Sequence, residues 1–442
     1  MASFALIDYC HLKKGYANRD QTGGYGSMMH ATGLLGYIIT RLKSNMLHLP
    51  VMSFGYIASI LRKTNHQVKF YSGMPLGEDY IIIASSITQY LDEIELARRI
   101  KEKFPLSKVG FINTFSSVMP DIFKDVSDFI IIGEPEWAIL EFTRGNLELR
   151  GQIEICQKGL LDDLGYPDWE GFPYKSFSYF PSLPKRPFFP VLSSRGCPYN
   201  CGFCPYVAGQ GYKWRTRSID SVISEIKYLR EKYNTRSILF RDPIFTMKME
   251  RAAEIAERIM KDVSGIEWSC ETRLDKLTPD LIDLMYKSGL RSINIGIESY
   301  DNEILKRAGK KTIVHEHQEK VIRHMNRLGI RVAGFYIIGL LDDTKESIAR
   351  TIDYSKKLNT FAAQFCILTP FPGTKLYSEV EDRLLTKDFS KYTEYDPVVK
   401  IDNITPYEII QLKNQAYSSY YFRLDWILQH TFQTIKCVLN WL

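Results

Sequence analysis

Cys197, Cys201 and Cys204 are the residues whose type and spacing most directly imply chemistry. They form a C-x3-C-x2-C loop straight after the apolar run at residues 188–192, where Gly196 and Pro198 turn the chain off the end of an expected buried strand. Three thiolates on one short loop can converge on a single metal centre. Tetrahedral zinc usually takes a fourth protein ligand, whereas a cubane iron–sulfur cluster has four irons to ligate. No histidine lies between His66 and His315, and the next cysteine is Cys270. Three protein ligands on a four-iron cluster would leave one iron open to a molecule that is not protein. A zinc-stabilised binding protein without catalysis is the alternative from another class, and the missing histidine counts against it.

The elements that must position this loop follow from periodicity. Strands are expected at residues 4–8, 68–71, 80–84, 108–113 and 129–133, with helices at 50–62 and 91–103 between them. Such alternation means a parallel, doubly wound sheet whose ligands bind at the carboxyl ends of its strands. Residues 144–186 are rich in aromatics and proline without a period, as a long linker over a domain junction would be. From residue 187 the alternation resumes, with strands at 188–192, 237–240, 266–270, 291–297, 332–338 and 364–368. That makes six βα units, too few for a closed eight-fold barrel. Polar residues Asp242, Glu271, Arg273 and Glu298 fall in the loops after these strands. Beyond residue 376 the pattern fades, and residues 405–430 and the tail read as helical with Trp426, Ile427, Phe432, Ile435 and Leu439 on a broad apolar face. That face fits a helix packed on the barrel, with a membrane-surface or partner-binding helix as the alternative. The expected divisions are 1–143, a linker at 144–186, a barrel at 187–376 and a mostly helical region at 377–442.

Composition bounds the function less tightly. The 442 residues suffice for two or three domains, and 45% hydrophobic with 24% charged residues is ordinary for a soluble globular protein. A net charge of +6 is weak for this length and gives no reason to expect a nucleic-acid partner. Cys10, Cys156, Cys270, Cys366 and Cys437 are scattered, which argues for a reducing compartment and against a second cluster built like the first. Neither a secretory signal nor a transmembrane stretch is visible, so a cytoplasmic location is expected.

With Phe203 at the aromatic position, the cysteine loop resembles the C-x3-C-x-Φ-C signature of the radical S-adenosylmethionine (radical SAM) superfamily. The resemblance covers residues 187–376 and implies a partial (β/α)6 barrel. It also implies a [4Fe-4S] cluster on Cys197, Cys201 and Cys204, SAM chelated to the open iron, and reductive cleavage of SAM to a 5′-deoxyadenosyl radical. An external electron donor of the flavodoxin or ferredoxin type is implied with it. Arg241, Asp242, Pro243, Phe245 and Thr246 resemble the family's second-strand loop, with Pro243 where a second aspartate is usual. SAM's ammonium needs an acceptor, for which Asp242 or Glu271 is a candidate, and its carboxylate needs a donor, for which Arg273 is the candidate. Glu298, between Gly296 and Ser299, matches a family position near the ribose and ammonium. Ile337 and Gly339 match the adenine side of a G-x-I-x-G-x-x-E pattern that departs here at Phe335 and Asp342.

The first 143 residues resemble the doubly wound, flavodoxin-like cobalamin-binding domain of one class of these enzymes. The resemblance rests on residues 50–62 followed by 68–71, on 81–87 and on 130–136. It implies cobalamin between this domain and the barrel mouth, with Ser85 and Ser86 as contacts. The D-x-H-x-x-G motif that supplies a lower axial histidine is only approximated by Asp8, His11 and Gly15, so a lower face without histidine is expected. The function implied is cobalamin-dependent methylation of an unactivated carbon, or of a phosphinate phosphorus, in a small-molecule substrate. A rearrangement, cyclisation or oxidation on the same scaffold is the alternative. A tRNA methylthiotransferase-like enzyme is a further one, disfavoured because Cys10 stands alone in the first 150 residues and the tail is helical.

Overall fold

A computed structural model describes residues 1–10, 17–28, 46–155, 157 and 159–441. The expectation at His11 falls outside these described residues.

Two six-stranded parallel sheets organise the chain. The first is built from β1 (Ser3–Ile7), β2 (Gln67–Tyr71), β3 (Tyr80–Ala84), β4 (Lys108–Ile112), β5 (Phe129–Ile132) and β6 (Gly151–Glu154), in the order β2-β1-β3-β4-β5-β6. All pairs are parallel, and β1 carries β2 on one side and β3 on the other. The strand order therefore reverses between β1 and β3, the place where doubly wound sheets open a crevice for ligand. Ile81, Ile82 and Ile83 are all fully buried, as expected of a strand covered on both faces. Helix α1 (Met52–Lys63) covers one face and α2 (Tyr90–Lys103) the other. Helix α3 (Pro135–Thr143) follows β5, with Pro135 in its first turn.

Strand β6 lies inside the stretch read as linker. It is a four-residue edge strand with Ile153 as its one buried side chain, too short and too polar to show a period. The rest of that stretch packs through aromatics: Trp169 is fully buried against Phe172, Phe177 and Phe189.

The second sheet runs in simple sequence order, β7 (Phe188–Val191), β8 (Ser237–Phe240), β9 (Glu267–Thr272), β10 (Leu290–Glu298), β11 (Arg331–Ile338) and β12 (Ala362–Ile367). Every pair is parallel, so each crossover carries a helix: α4 (Ile219–Tyr233), α5 (Met249–Asp262), α6 (Pro279–Lys287), α8 (His315–Arg327) and α9 (Lys345–Leu358), with a short α7 (Asn302–Arg307) before α8. This is the partial six-strand barrel. Local sequence fixes the ends: Ser218, Thr278 and Thr344 accept a backbone N–H in the first turn of α4, α6 and α9, and Asn234 and Asn359 close α4 and α9 in the left-handed region. In β11 and β12 buried residues alternate with half-buried ones, so Phe335, Ile337, Gln364 and Cys366 form the row opposite the helices. Helices α10 (Pro406–Tyr421) and α11 (Leu424–Trp441) close the chain.

Candidate active site at the barrel mouth

The cysteine loop leaves β7 and is clasped from below. Asp242, after β8, is 1% exposed; its carboxylate accepts from the Ser193 amide at 2.8 Å and from the hydroxyls of Ser193 and Ser194 at 2.6 and 2.5 Å. Gly196 is required next: its φ is +80°, and an added Cβ would sit 2.1 Å from the Lys213 carbonyl oxygen. Further on, the Gly202 N–H donates to the Ala308 carbonyl, and the Gly202 carbonyl accepts from Leu376. Gly309, φ +75°, lets the α7 end approach Asn200. The loop is thus held from several strand ends before any ligand is considered.

Cys197 is 8% exposed and Cys201 and Cys204 are half-buried. Burial pushes all three thiols up, Cys204 to about 12, and Cys197 and Cys204 both feel the charge of Cys201. Three thiols on one loop without a histidine are the donor set of an iron–sulfur cluster. Among the described residues, no three His, Cys, Asp or Glu side chains are gathered as a single metal ion needs. Phe203 packs against the main core, half-buried.

Cations and carboxylates face the loop. Glu298 ends β10 at φ +66°, where the register with β11 shifts, and takes a 2.6 Å bond from Lys310. Lys310 also donates to the Gly296 carbonyl, and a Cβ on Gly296 would meet the Glu298 carboxylate at 2.3 Å. Arg273 lies face-on over Tyr199 at 4.4 Å and bonds Asp275 and the Lys311 carbonyl. Glu271 accepts from Arg241 at 2.7 Å, and Arg241 also binds Asp20 from the N-terminal segment. So Glu298 and Arg273 stand beside the cysteines, and Glu271 is committed to a bridge.

Several expectations are corrected. Asp242 is not open to a ligand: both its oxygens are spent on Ser193 and Ser194, because it sits under the loop rather than above it. Gly339 points its open side at Ile409 and Ile401 of the C-terminal region, 3.3 and 3.7 Å from an added Cβ, and its N–H is held by Asp343. The motif's acidic end is served by Asp343, pushed to about 6 by burial, while Asp342 pairs with exposed Arg307. Ile337 lies half-buried in the inward row.

Ser85 and Ser86, expected at a macrocycle, are fully buried. The Ser85 hydroxyl donates to the Ile112 carbonyl and accepts from Ser116; that of Ser86 bonds Glu93 at 2.7 Å. What covers them is the chain's own segment 17–28. Arg19, fully buried, fills the crevice between β1 and β3, donating to Asp8 at 2.7 Å, to the Ala84 carbonyl at 2.9 Å and to Glu93 at 2.8 Å. Tyr25 accepts from the Ile87 amide and bonds the Pro372 carbonyl through its hydroxyl, and Thr114 donates to Gly23. A cavity of about 80 Å³ remains between the two sheets, walled by Gly23, Gly24, Asn113, Gly133, Arg195 and Arg241 among others.

Sequence reasoning passed over four residues. Lys310 follows a turn rather than a strand. Arg195 reaches from the cysteine loop to a two-pronged pair with Glu136 at the start of α3, 3.0 and 3.2 Å, tying the loop to the first sheet. Arg19 belongs to no periodic element. Glu394, at φ +68° beside the end of β12, accepts from Thr22 at 3.3 Å and is pushed to about 7 by burial, with Glu298 adding to the shift. Nearby, burial holds Lys413 below its ordinary value.

The profile of the Radical SAM superfamily matches residues 191–355. Over 430 residues the chain is 30% identical to an uncharacterized methyltransferase of Pyrococcus horikoshii, covering 87% of this chain and 90% of that one. It is 30% identical over 209 residues to the bacteriochlorophyllide d C-12(1)-methyltransferase of Chlorobaculum tepidum, covering 47% and 45%. Among solved structures, it is similar in fold to the radical SAM methyltransferase TsrM of Kitasatospora setae, a structure with cobalamin and a [4Fe-4S] cluster bound. That TM-score is 0.63 at 12% identity, covering 86% of this chain and 75% of the other.

Proposed function

This chain belongs to the radical SAM superfamily, and we propose that within it the protein is a cobalamin-dependent methyltransferase acting on an unactivated carbon, or a phosphinate phosphorus, of a small molecule. The observation that carries the reading is the three-thiol loop, clasped by Asp242 and Arg195 and faced by Lys310, Glu298 and Arg273. The methyltransferase names of the relatives and the cobalamin in a structure of the same fold support the rest.

When bound, a four-iron cluster with SAM supplies a carbon-centred radical, and cobalamin supplies the methyl group. This chain's residues then have positional tasks. Cys197, Cys201 and Cys204 hold the cluster. Glu298 accepts from the SAM ammonium, with Lys310 fixing its carboxylate, and Arg273 donates to the SAM carboxylate, with Tyr199 fixing its plane. Gln364, Cys366, Glu394 and Lys413, grouped beside β12, would face the substrate in this reading, and their polarity would orient a small molecule. The remaining cysteines build no second cluster in this reading, so the electron comes from an external flavodoxin- or ferredoxin-type donor. The cytoplasm is the fitting compartment.

The proposed cobalamin site is the crevice between the two sheets. Its walls at Gly133, where an added Cβ would meet nothing, and at Asn113 fit the approach of a flat ring. Its volume of about 80 Å³ holds a few waters, each taking roughly 30 Å³. Arg19, Asp20, Gly23 and Gly24 form part of its wall, so in this reading loading displaces residues 17–28.

The test is anaerobic reconstitution with iron, sulfide and cobalamin, followed by SAM and dithionite. Both 5′-deoxyadenosine and S-adenosylhomocysteine are expected, and Cys201→Ala should abolish the first. Formation of 5′-deoxyadenosine without S-adenosylhomocysteine at any cobalamin concentration would contradict methyl transfer.

A further inference from the structure

Helix α11 is built inside out. Trp426, His430, Gln433 and Cys437, spaced for one helical face, turn toward the barrel. His430 is 1% exposed and bonds the Asn359 carbonyl at 3.0 Å, and the Trp426 indole donates to the Thr360 carbonyl. The opposite face carries Leu424, Leu428, Phe432, Ile435 and Leu439, of which Leu428 is 79% and Phe432 75% exposed. The polar side is packed and the apolar side is bare.

That face is large enough to need an explanation. With areas on the order of 150–200 Å² for side chains of this size, the stripe with its neighbours Phe422, Ile427 and Val438 exposes on the order of 800 Å². One partner in a stable complex contributes about that much, whereas the largest apolar patch of a lone protein is roughly 300–600 Å². A lipid surface would call for lysines and arginines along the helix flank. In α11 the charged residues are Asp425 and Lys436, one of each sign.

From this we infer that a second copy of the chain covers the face, with two α11 helices packed antiparallel about a two-fold axis. The pattern is self-complementary, as such an axis demands. Reversing the helix about the midpoint of positions 431 and 432 sets Leu424 against the partner's Leu439, and Leu428 against the partner's Ile435, while Phe432 lies one residue out of register with its own counterpart, within side-chain reach of it. The flanks agree too. Ile427 and Val438 share one flank, and Asp425 and Lys436 share the other, so each Asp425 falls within a turn of the partner's Lys436. The surface lies at the amino ends of β11 and β12, where α11 contacts Asn359 and Thr360, away from the cysteine loop.

Sedimentation velocity of the reconstituted full chain tests this. A dimer is expected at micromolar concentration, and Leu428→Glu with Phe432→Glu should give a monomer that still cleaves SAM at the parental rate, which excludes loss of fold. Asp425→Lys and Lys436→Asp should each weaken the dimer about two- to fivefold, and the double swap should restore it. A monomeric parent at about 100 μM, the high end of concentrations at which a weak specific dimer forms, would overturn the inference. So would co-sedimentation of the monomer with phosphatidylglycerol vesicles that the Glu variants lose.

Discussion

The molecule has two rows of carboxyl strand ends, and they are finished differently. At the barrel, the polar groups after β7, β8 and β10 hold a loop of three thiols with its donors and acceptors already in place. At the first sheet, the corresponding hydroxyls and carboxylates are spent on one another and on Arg19. The barrel mouth is preorganised, so little reorganisation is left to oppose binding there. The first sheet's crevice is satisfied without a ligand. Whatever binds in it must first outbid a buried ion network.

The comparison breaks most visibly at Arg19. Removing it takes the shared cation away from the buried carboxylates of Asp8 and Glu93, and the loss of one partner of a buried ion pair typically costs about 3–5 kcal/mol. Arg19→Ala should therefore lower the melting temperature sharply in the absence of cobalamin and by much less in its presence, as differential scanning fluorimetry would read. An equal loss in both states would mean that the segment stays in the crevice when the cofactor is bound.

Asp242 sharpens the other side. Asp242→Asn keeps the shape but exchanges charge-assisted bonds to Ser193 and Ser194 for neutral ones, at a cost of about 1–2 kcal/mol. The variant should retain less iron per chain while the KM for SAM of the loaded fraction is unchanged. A raised KM at full iron content would return Asp242 to the role of a SAM ligand.

The smallest effect is expected at Glu394. Its folded value of about 7 lies above that of a free carboxyl, so the folded chain keeps this proton longer than the unfolded chain does. The stability it contributes is present in acid and is lost as pH rises toward and through 7. Glu394→Gln should melt close to the parent at pH 5 and above it at pH 8. A variant that melts lower at pH 8 would show that the ionised carboxylate has a partner.

How much of this was legible in the sequence depends on whether a signal is local. The cysteine loop and the βα alternation are local, and the strand-end loops follow from them, which is why Glu271, Arg273 and Glu298 could be placed at or beside strand ends. Which way a strand-end side chain turns is not local. Asp242 is turned under the loop because Ser193 and Ser194, far away in sequence, donate to both its oxygens. Ser85 and Ser86 carry the signal of a ligand-facing turn, but a segment with no periodicity covers them. Strand β6 was hidden by its length, and Lys310 and Arg195 by lying off the strand ends.

Hydrogen exchange read by mass spectrometry, on the anaerobic holoprotein with SAM and with cobalamin added separately, tests the contrast most directly. The account predicts that SAM slows exchange in peptides spanning residues 196–205 and 296–311 and leaves residues 17–28 unchanged, whereas cobalamin speeds exchange in residues 17–28. Cobalamin bound at full occupancy with residues 17–28 as protected as before would contradict it.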